Sequence, residues 1–170
     1  MANVAVEKCP DSGALPETLW QRMNAITDEI RQRAFGLFEG HGRTIGMDLS
    51  DWLQAERELI WSPASELVEK NDNFCARLAL PGFDAKDLEV TATPSALIVH
   101  AESAHTHEGK EGDVCLCEFS GKKLFRRLDL PSEIDVNKVT ASLDKGILEI
   151  DAPKALSKEQ PLPKAKPATA

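Results

Sequence analysis

The sequence predicts a mostly β protein: an immunoglobulin-like antiparallel β-sandwich with a helical N-terminal arm and a disordered C-terminal tail. Three observations predict it. Between Trp61 and Pro153, apolar residues recur at every second position in short runs separated by turn residues, the period of half-buried strands. No segment of helical period lies between those runs, so crossover helices are absent and the strands pair antiparallel. Over residues 15–60 the period instead becomes three and four, and past Lys154 it disappears in "ALSKEQPLPKAKPATA". These changes divide the chain into an arm (1–60), a sandwich (61–153) and a tail (154–170).

In the arm, residues 15–38 set Leu19, Met23, Ile26, Ile30, Ala34 and Phe38 along one helical face. Pro16 suits the first turn, and Gly36 with Gly40 weakens the far end. Residues 48–60 set Leu49, Trp52, Leu53, Leu59 and Ile60 toward one side, with Asp48 or Ser50 placed to cap. Both faces suit packing against the rest of the protein, and both equally suit an apolar arm that meets other chains. The glycines of the intervening "GLFEGHGRTIG" do not make a phosphate loop: they follow a helix, their spacing is wrong, and no Gly-Lys-Ser/Thr closes them. A flexible connector is the expectation.

In the sandwich, Phe74, Ala76, Leu78 and Leu80 alternate with Cys75, Arg77 and Ala79 until "PGFD" ends the run. Leu88, Val90 and Ala92 form the next inward set, "TPSA" reverses the chain, and Leu97, Val99 and Ala101 return. Val114 and Leu116 alternate with Cys115 and Cys117, and Leu124, Arg126, Leu128 and Leu130 share a face. The last pair of strands carries Val139, Ala141 and Leu143 before Asp144-Lys145-Gly146, and Leu148, Ile150 and Ala152 after it. Gly146 is where a tight reversal needs positive φ, and a slip of one residue would turn Leu148 and Ile150 outward.

With 170 residues, 42% of them hydrophobic, the chain can bury one sizeable core and carry flanking segments. A net charge of −8 argues against a nucleic-acid backbone or an anionic membrane surface as partner, since both require dense Lys and Arg. No run approaches the roughly 20 apolar residues of a membrane span, and the N-terminal stretch lacks a signal-like apolar region. A cytoplasmic chain is expected. Cys9, Cys75, Cys115 and Cys117 are too scattered for a disulfide framework and are expected to be reduced. A soft-metal site joining Cys115 and Cys117 to His105 and His107 is the alternative, but "HTHEGKEGD" has the composition of a solvated loop. No metal or other cofactor is expected, and His41, His100, His105 and His107 show no catalytic spacing.

"LALPGFDAKDLEV", "ALIVHAES", "LFRRLDLP" and "ASLDKGILEIDAP" follow one another at set intervals, the last matching an A-x-x-x-n-G-v-L signature at Ala141, Gly146 and Leu148. In these motifs, over about residues 61–153, the chain resembles the small heat-shock proteins with an α-crystallin domain, in their bacterial and plant form. The resemblance implies an ATP-independent holdase, not an enzyme, that binds unfolding, non-native client proteins and prevents their aggregation. It directs attention to Leu19, Trp20, Met23, Ile26, Ile30, Phe35, Phe38 and Trp52 as client contacts in the arm. It also implies a groove at one edge of the sandwich lined by Val90, Val139, Ala141 and Leu143, with core packing the competing role for each.

In that form of the family, the segment holding Val114, Leu116 and Phe119 carries an extra strand that pairs with the partner's sandwich. A homodimer by strand exchange is therefore implied, with a hairpin folded back on its own domain the competing arrangement. Arg126 stands where the family has an arginine at the dimer region, with a plain surface arginine as the alternative. The tail departs from the family's C-terminal Ile/Val-x-Ile/Val motif: Leu162 is followed two residues on by Lys164. A dimer or small oligomer is expected. A cochaperone of the CS-domain kind, a binding module with one defined partner, is the other function class to be weighed.

Overall fold

The computed structural model describes residues 1–10, 16–103 and 122–155. The chain opens with a strand, β1 (Ala2–Lys8), and continues into two helices, α1 (Glu17–Gly40) and α2 (Asp48–Leu59). Seven further strands follow: β2 (Ser65–Lys70), β3 (Asn73–Ala79), β4 (Leu88–Thr93), β5 (Ala96–Ser103), β6 (Lys122–Asp129), β7 (Thr140–Asp144) and β8 (Ile147–Pro153). Strand order is β2-β3-β8-β7-β1-β4-β5-β6. The pairings β2–β3–β8–β7 and β4–β5–β6 are all antiparallel and form the two sheets of the sandwich.

Alternation predicts the core well. Phe74, Ala76, Leu78, Leu88, Val90, Leu97, Val99, Leu124, Leu148 and Ile150 are almost wholly buried in a single cluster. The expected reversal joins β7 to β8 with Leu143 opposite Leu148 and Asp144 opposite Ile147. Lys145 and Gly146 both take positive φ, 48° and 76°, the pattern of a two-residue turn whose twist matches its strands. A Cβ on Gly146 would also lie 3.4 Å from the Pro81 Cα. The turn is thus fixed by its own dihedrals and by the chain behind it.

Helix α1 bridges the outer side of the β4–β5–β6 sheet through polar groups. Arg22 Nη2 donates to Glu89 Oε1 on β4 at 2.8 Å, and Lys123 Nζ on β6 donates to Glu29 at 2.6 Å. Leu19 and Ile30 are buried, while Met23, Ile26, Ala34 and Phe38 are half-buried, so the predicted face does turn inward. Helix α2 differs from its prediction. It buries Asp51 and Ala55, leaving Leu49 and Leu53 on the exposed side. A small side chain such as Ala55 allows close approach of two helices, whereas Leu49 lies in the first turn, beyond that contact. Asp48 and Ser50 do not cap: Met47 holds the cap position, and the Ser50 hydroxyl donates to its carbonyl at 2.7 Å. The exit from α2 is pinned to the sandwich, with the Trp61 N–H donating to the Lys123 carbonyl at 2.9 Å and the Trp61 ring stacked on Phe83 at 5.9 Å.

Candidate docking surfaces

The groove is expected between the strand around Leu88–Ala92 and the strand around Val139–Leu143, which are β4 and β7, and a further strand of the chain lies between them. That strand is β1, in a segment to which sequence reading assigned no element. Its first half pairs antiparallel with β7, setting Val4 opposite Ala141, and its second half pairs parallel with β4, setting Val6 opposite Val90. One short strand therefore belongs to both sheets. The Cys9 N–H continues the ladder to the Ala92 carbonyl at 2.9 Å.

Side chains alternate along β1: Val4 is buried and Val6 half-buried, whereas Asn3, Ala5 and Glu7 are exposed. Beneath them Val90, Val139, Ala141 and Leu143 are buried and join the main core. Each valine contributes at most about 1.5 to 3 kcal/mol, against roughly 1 to 2 kcal/mol to order each residue of the strand. The two backbone ladders are therefore needed to hold β1 in place.

The second surface is the helical hairpin. Trp20, Phe35, Leu49 and Leu53 are 52%, 57%, 70% and 42% exposed, with Ile45 and Met47 exposed in and beside the connecting turn. Phe35 packs tilted on Phe38 at 6.3 Å, beside an open pocket that Trp52 also lines. Polar contacts also link the two helices: His41 Nδ1 lies 2.8 Å from the buried Asp51 carboxylate, and Arg33 Nε donates to Glu58 at 2.6 Å. Of the arm positions singled out from the sequence, Trp20 and Phe35 face solvent, Met23, Ile26, Phe38 and Trp52 are half-buried, and Leu19 and Ile30 are enclosed.

Residues 66–167, beginning in β2 and running past β8, match the profile described as Hsp20/alpha crystallin family. The chain belongs to that family. Residues 27–59, most of the hairpin, separately match a profile described as Protein of unknown function (DUF2934). "Heat shock 22 kDa protein, mitochondrial" of Glycine max is 26% identical over 123 residues, covering 71% of this chain and 53% of that protein. "Small heat shock protein C4" of Rickettsia felis is 28% identical over 95 residues, covering 56% and 58%. The chain spans about half the length of the curated relatives it matches. Among solved structures, "Heat shock protein 16.0 from Schizosaccharomyces pombe" superposes with a TM-score of 0.50 at 24% identity, covering 65% of this chain and 99% of that one, a likeness of fold.

The remaining positions of the Hsp20 domain can now be located. Arg126 on β6 is half-buried, and among the described residues its buried Nε finds no acceptor. Val114, Leu116 and Phe119, with the alternative metal ligands His105, His107, Cys115 and Cys117, lie outside the described residues. A different group of possible ligand atoms does converge, from Cys75, Glu149 and Asp151 within 4.8 Å of one another. Its members are already engaged: the Cys75 thiol donates to Glu149 at 3.6 Å, Asn73 donates to Asp151 at 3.0 Å, and Arg77 lies 3.5 Å from Glu149. Burial, followed by the Glu149 charge, pushes the Cys75 thiol up from its usual range, so the thiolate that metal or nucleophilic chemistry requires is disfavoured.

His100 on β5, beneath α1, is held below its ordinary value by burial and then by Arg22, whose Nη1 lies 3.2 Å from its Nδ1. A neutral imidazole accepting from the guanidinium fits that geometry. Among the described residues, no helix is long and apolar enough to cross a membrane.

Proposed function

We propose that this Hsp20-family chain is a chaperone of the holdase type, which takes up unfolding proteins without ATP and without catalysing a reaction. The observation that carries the reading is the exposed apolar set on the hairpin, Trp20, Phe35, Leu49 and Leu53, mounted on a sandwich whose own core is closed. Folding intermediates expose apolar segments, and several shallow aromatic and aliphatic contacts hold many different sequences weakly. The net charge of −8 keeps such a complex dissolved. In this reading Leu19 and Ile30 fix the hairpin, while Trp20, Phe35 and the edges of Phe38 and Trp52 meet the client. Val90, Val139, Ala141 and Leu143 serve as the floor of the groove.

The dimer forms by exchange of the segment carrying Val114, Leu116 and Phe119. Support comes from β2, the end strand of its sheet, whose outer edge has no neighbour among the described residues, and from the buried Arg126 Nε awaiting an acceptor.

The test is light scattering of a heated model client, without nucleotide, at equimolar chaperone. The wild-type chain is expected to keep the client in solution, and the triple variant Phe35→Ser/Leu49→Ser/Leu53→Ser to do so several-fold less well while its strand signal in circular dichroism stays unchanged. Scattering unaffected by the wild-type chain would overturn the reading and leave a module for one defined partner.

A further inference from the structure

The open pocket between α1 and α2 measures about 280 Å³, and its lining includes Arg31, Phe35 and Phe38 from the first helix and Asp48, Asp51 and Trp52 from the second. All six fall within residues 27–59, which match a profile separate from that of the Hsp20 domain, so the hairpin builds this pocket without the sandwich. The lining joins two kinds of group. Phe35 and Phe38 pack tilted on each other and Trp52 shares the wall, and aromatic faces carry partial negative charge. Asp51 is only 1% exposed: one oxygen lies 2.8 Å from His41 Nδ1, while Oδ2 is buried and accepts no hydrogen bond among the described residues. A half-satisfied buried carboxylate is costly, and an apolar wall screens its charge poorly. Asp48, exposed in the first turn of α2, adds a second carboxylate. Arg31 is engaged by Asp28 on its own helix. Among the described residues the cation–π pairs are Lys122 over Trp61 and Lys154 over Phe74, so no cation of the chain covers the hairpin rings.

We propose that this pocket takes an arginine side chain of the client, its guanidinium stacked on the rings of Phe35, Phe38 and Trp52 and drawn by the Asp51 and Asp48 carboxylates. The inference rests on the reading of the hairpin as the client surface, and it adds the class of segment held there: arginine set among apolar residues. Arginine suits the pocket better than lysine because its planar, weakly hydrated head stacks on a ring while its N–H groups remain free to donate to a carboxylate. It also brings positive charge to a wall whose buried carboxylate has a single partner among the described residues. Leu49 and Leu53, exposed on the same helix as Trp52, are left for the apolar neighbours. The net charge of −8 attracts any cation diffusely, so the pocket's share is what substitutions within it remove.

The test is fluorescence anisotropy of short labelled peptides on the full chain, alike except at one position among leucines that carries arginine, lysine or the neutral isostere citrulline. The wild-type chain is expected to bind the arginine peptide about tenfold more tightly than the citrulline peptide, with the lysine peptide between them. Asp51→Asn should remove most of that preference, with circular dichroism checking that the helices persist. Asp48→Asn, which leaves the His41 bond to Asp51 in place, and Phe38→Leu, which keeps the wall apolar, should each reduce it by about threefold. Equal binding of the arginine and citrulline peptides overturns the proposal, as does lysine bound as tightly as arginine. An arginine preference untouched by Asp48→Asn and Phe38→Leu also overturns it, since the attraction is then diffuse. None of these outcomes bears on whether the wild-type chain suppresses scattering of a heated client, so failure here is distinguishable from failure of the holdase reading.

Discussion

The sandwich and the hairpin bury apolar surface by opposite rules. In the sandwich, every second side chain goes inward, and Phe74, Leu97, Leu148 and Ile150 are sealed completely. In the hairpin only Leu19, Ile30 and Ala55 are enclosed among its apolar residues, and the contacts that tie it to the sheet include charged pairs, Arg22 with Glu89 and Lys123 with Glu29. Sealed apolar contacts contribute strongly and cooperatively, whereas part-exposed ion pairs contribute little and are screened by salt. The two regions therefore differ in what they can release: the hairpin can shift and present its face while the sandwich stays folded.

Substitutions can break that contrast, beginning with the largest effect. Phe74→Ala should cost about 3 to 5 kcal/mol in urea unfolding, while Phe35→Ala, on the exposed hairpin face, should change stability by no more than about 0.5 kcal/mol. Comparable losses from both would erase the distinction. Gly146→Ala, placing a side chain at φ 76° and against Pro81, should cost roughly 1 to 2 kcal/mol without changing the unfolding slope. Arg22→Ala should cost less than about 1 kcal/mol yet speed amide exchange along α1 and leave β3 and β8 unchanged; equal acceleration in both regions would show that they open together.

The smallest effect is a matter of pH. His100 is held below 6.5 in the folded chain, so on acidification the unfolded chain takes up the proton first. The stability it contributes is intact above about pH 6.5 and lost as pH falls through the lower folded value. His100→Gln should flatten that part of the stability profile. An unaltered acid slope would remove His100 from the account of how α1 is held.

The same contrast explains what was legible in the sequence. Period-two alternation is read directly because burial on one face of a sheet admits a single register, and the burial of Val90, Val139, Ala141 and Leu143 follows from it. Helix positions were legible too, but which side chains stay exposed was not: Leu49 and Leu53 have the spacing of a buried stripe, and only the partner helix decides that Ala55 and Asp51 take that place. The pairing of Asp51 with His41 likewise depends on a turn of the hairpin rather than on any motif. Strand β1 is not legible in the sequence because Val4 and Val6 are its only large aliphatic side chains between the opening methionine and Cys9, and two alternating valines without a neighbouring strand are a faint signal.

In the proposed function, clients rest on the exposed face of the hairpin while the sandwich stays closed. Hydrogen exchange of the chaperone, alone and in complex with a heat-unfolded client, tests it most directly. The account predicts added protection across residues 20–53, with β3 and β8 unchanged. Protection confined to the sandwich strands, with the hairpin exchanging as it does in the free chain, would contradict it.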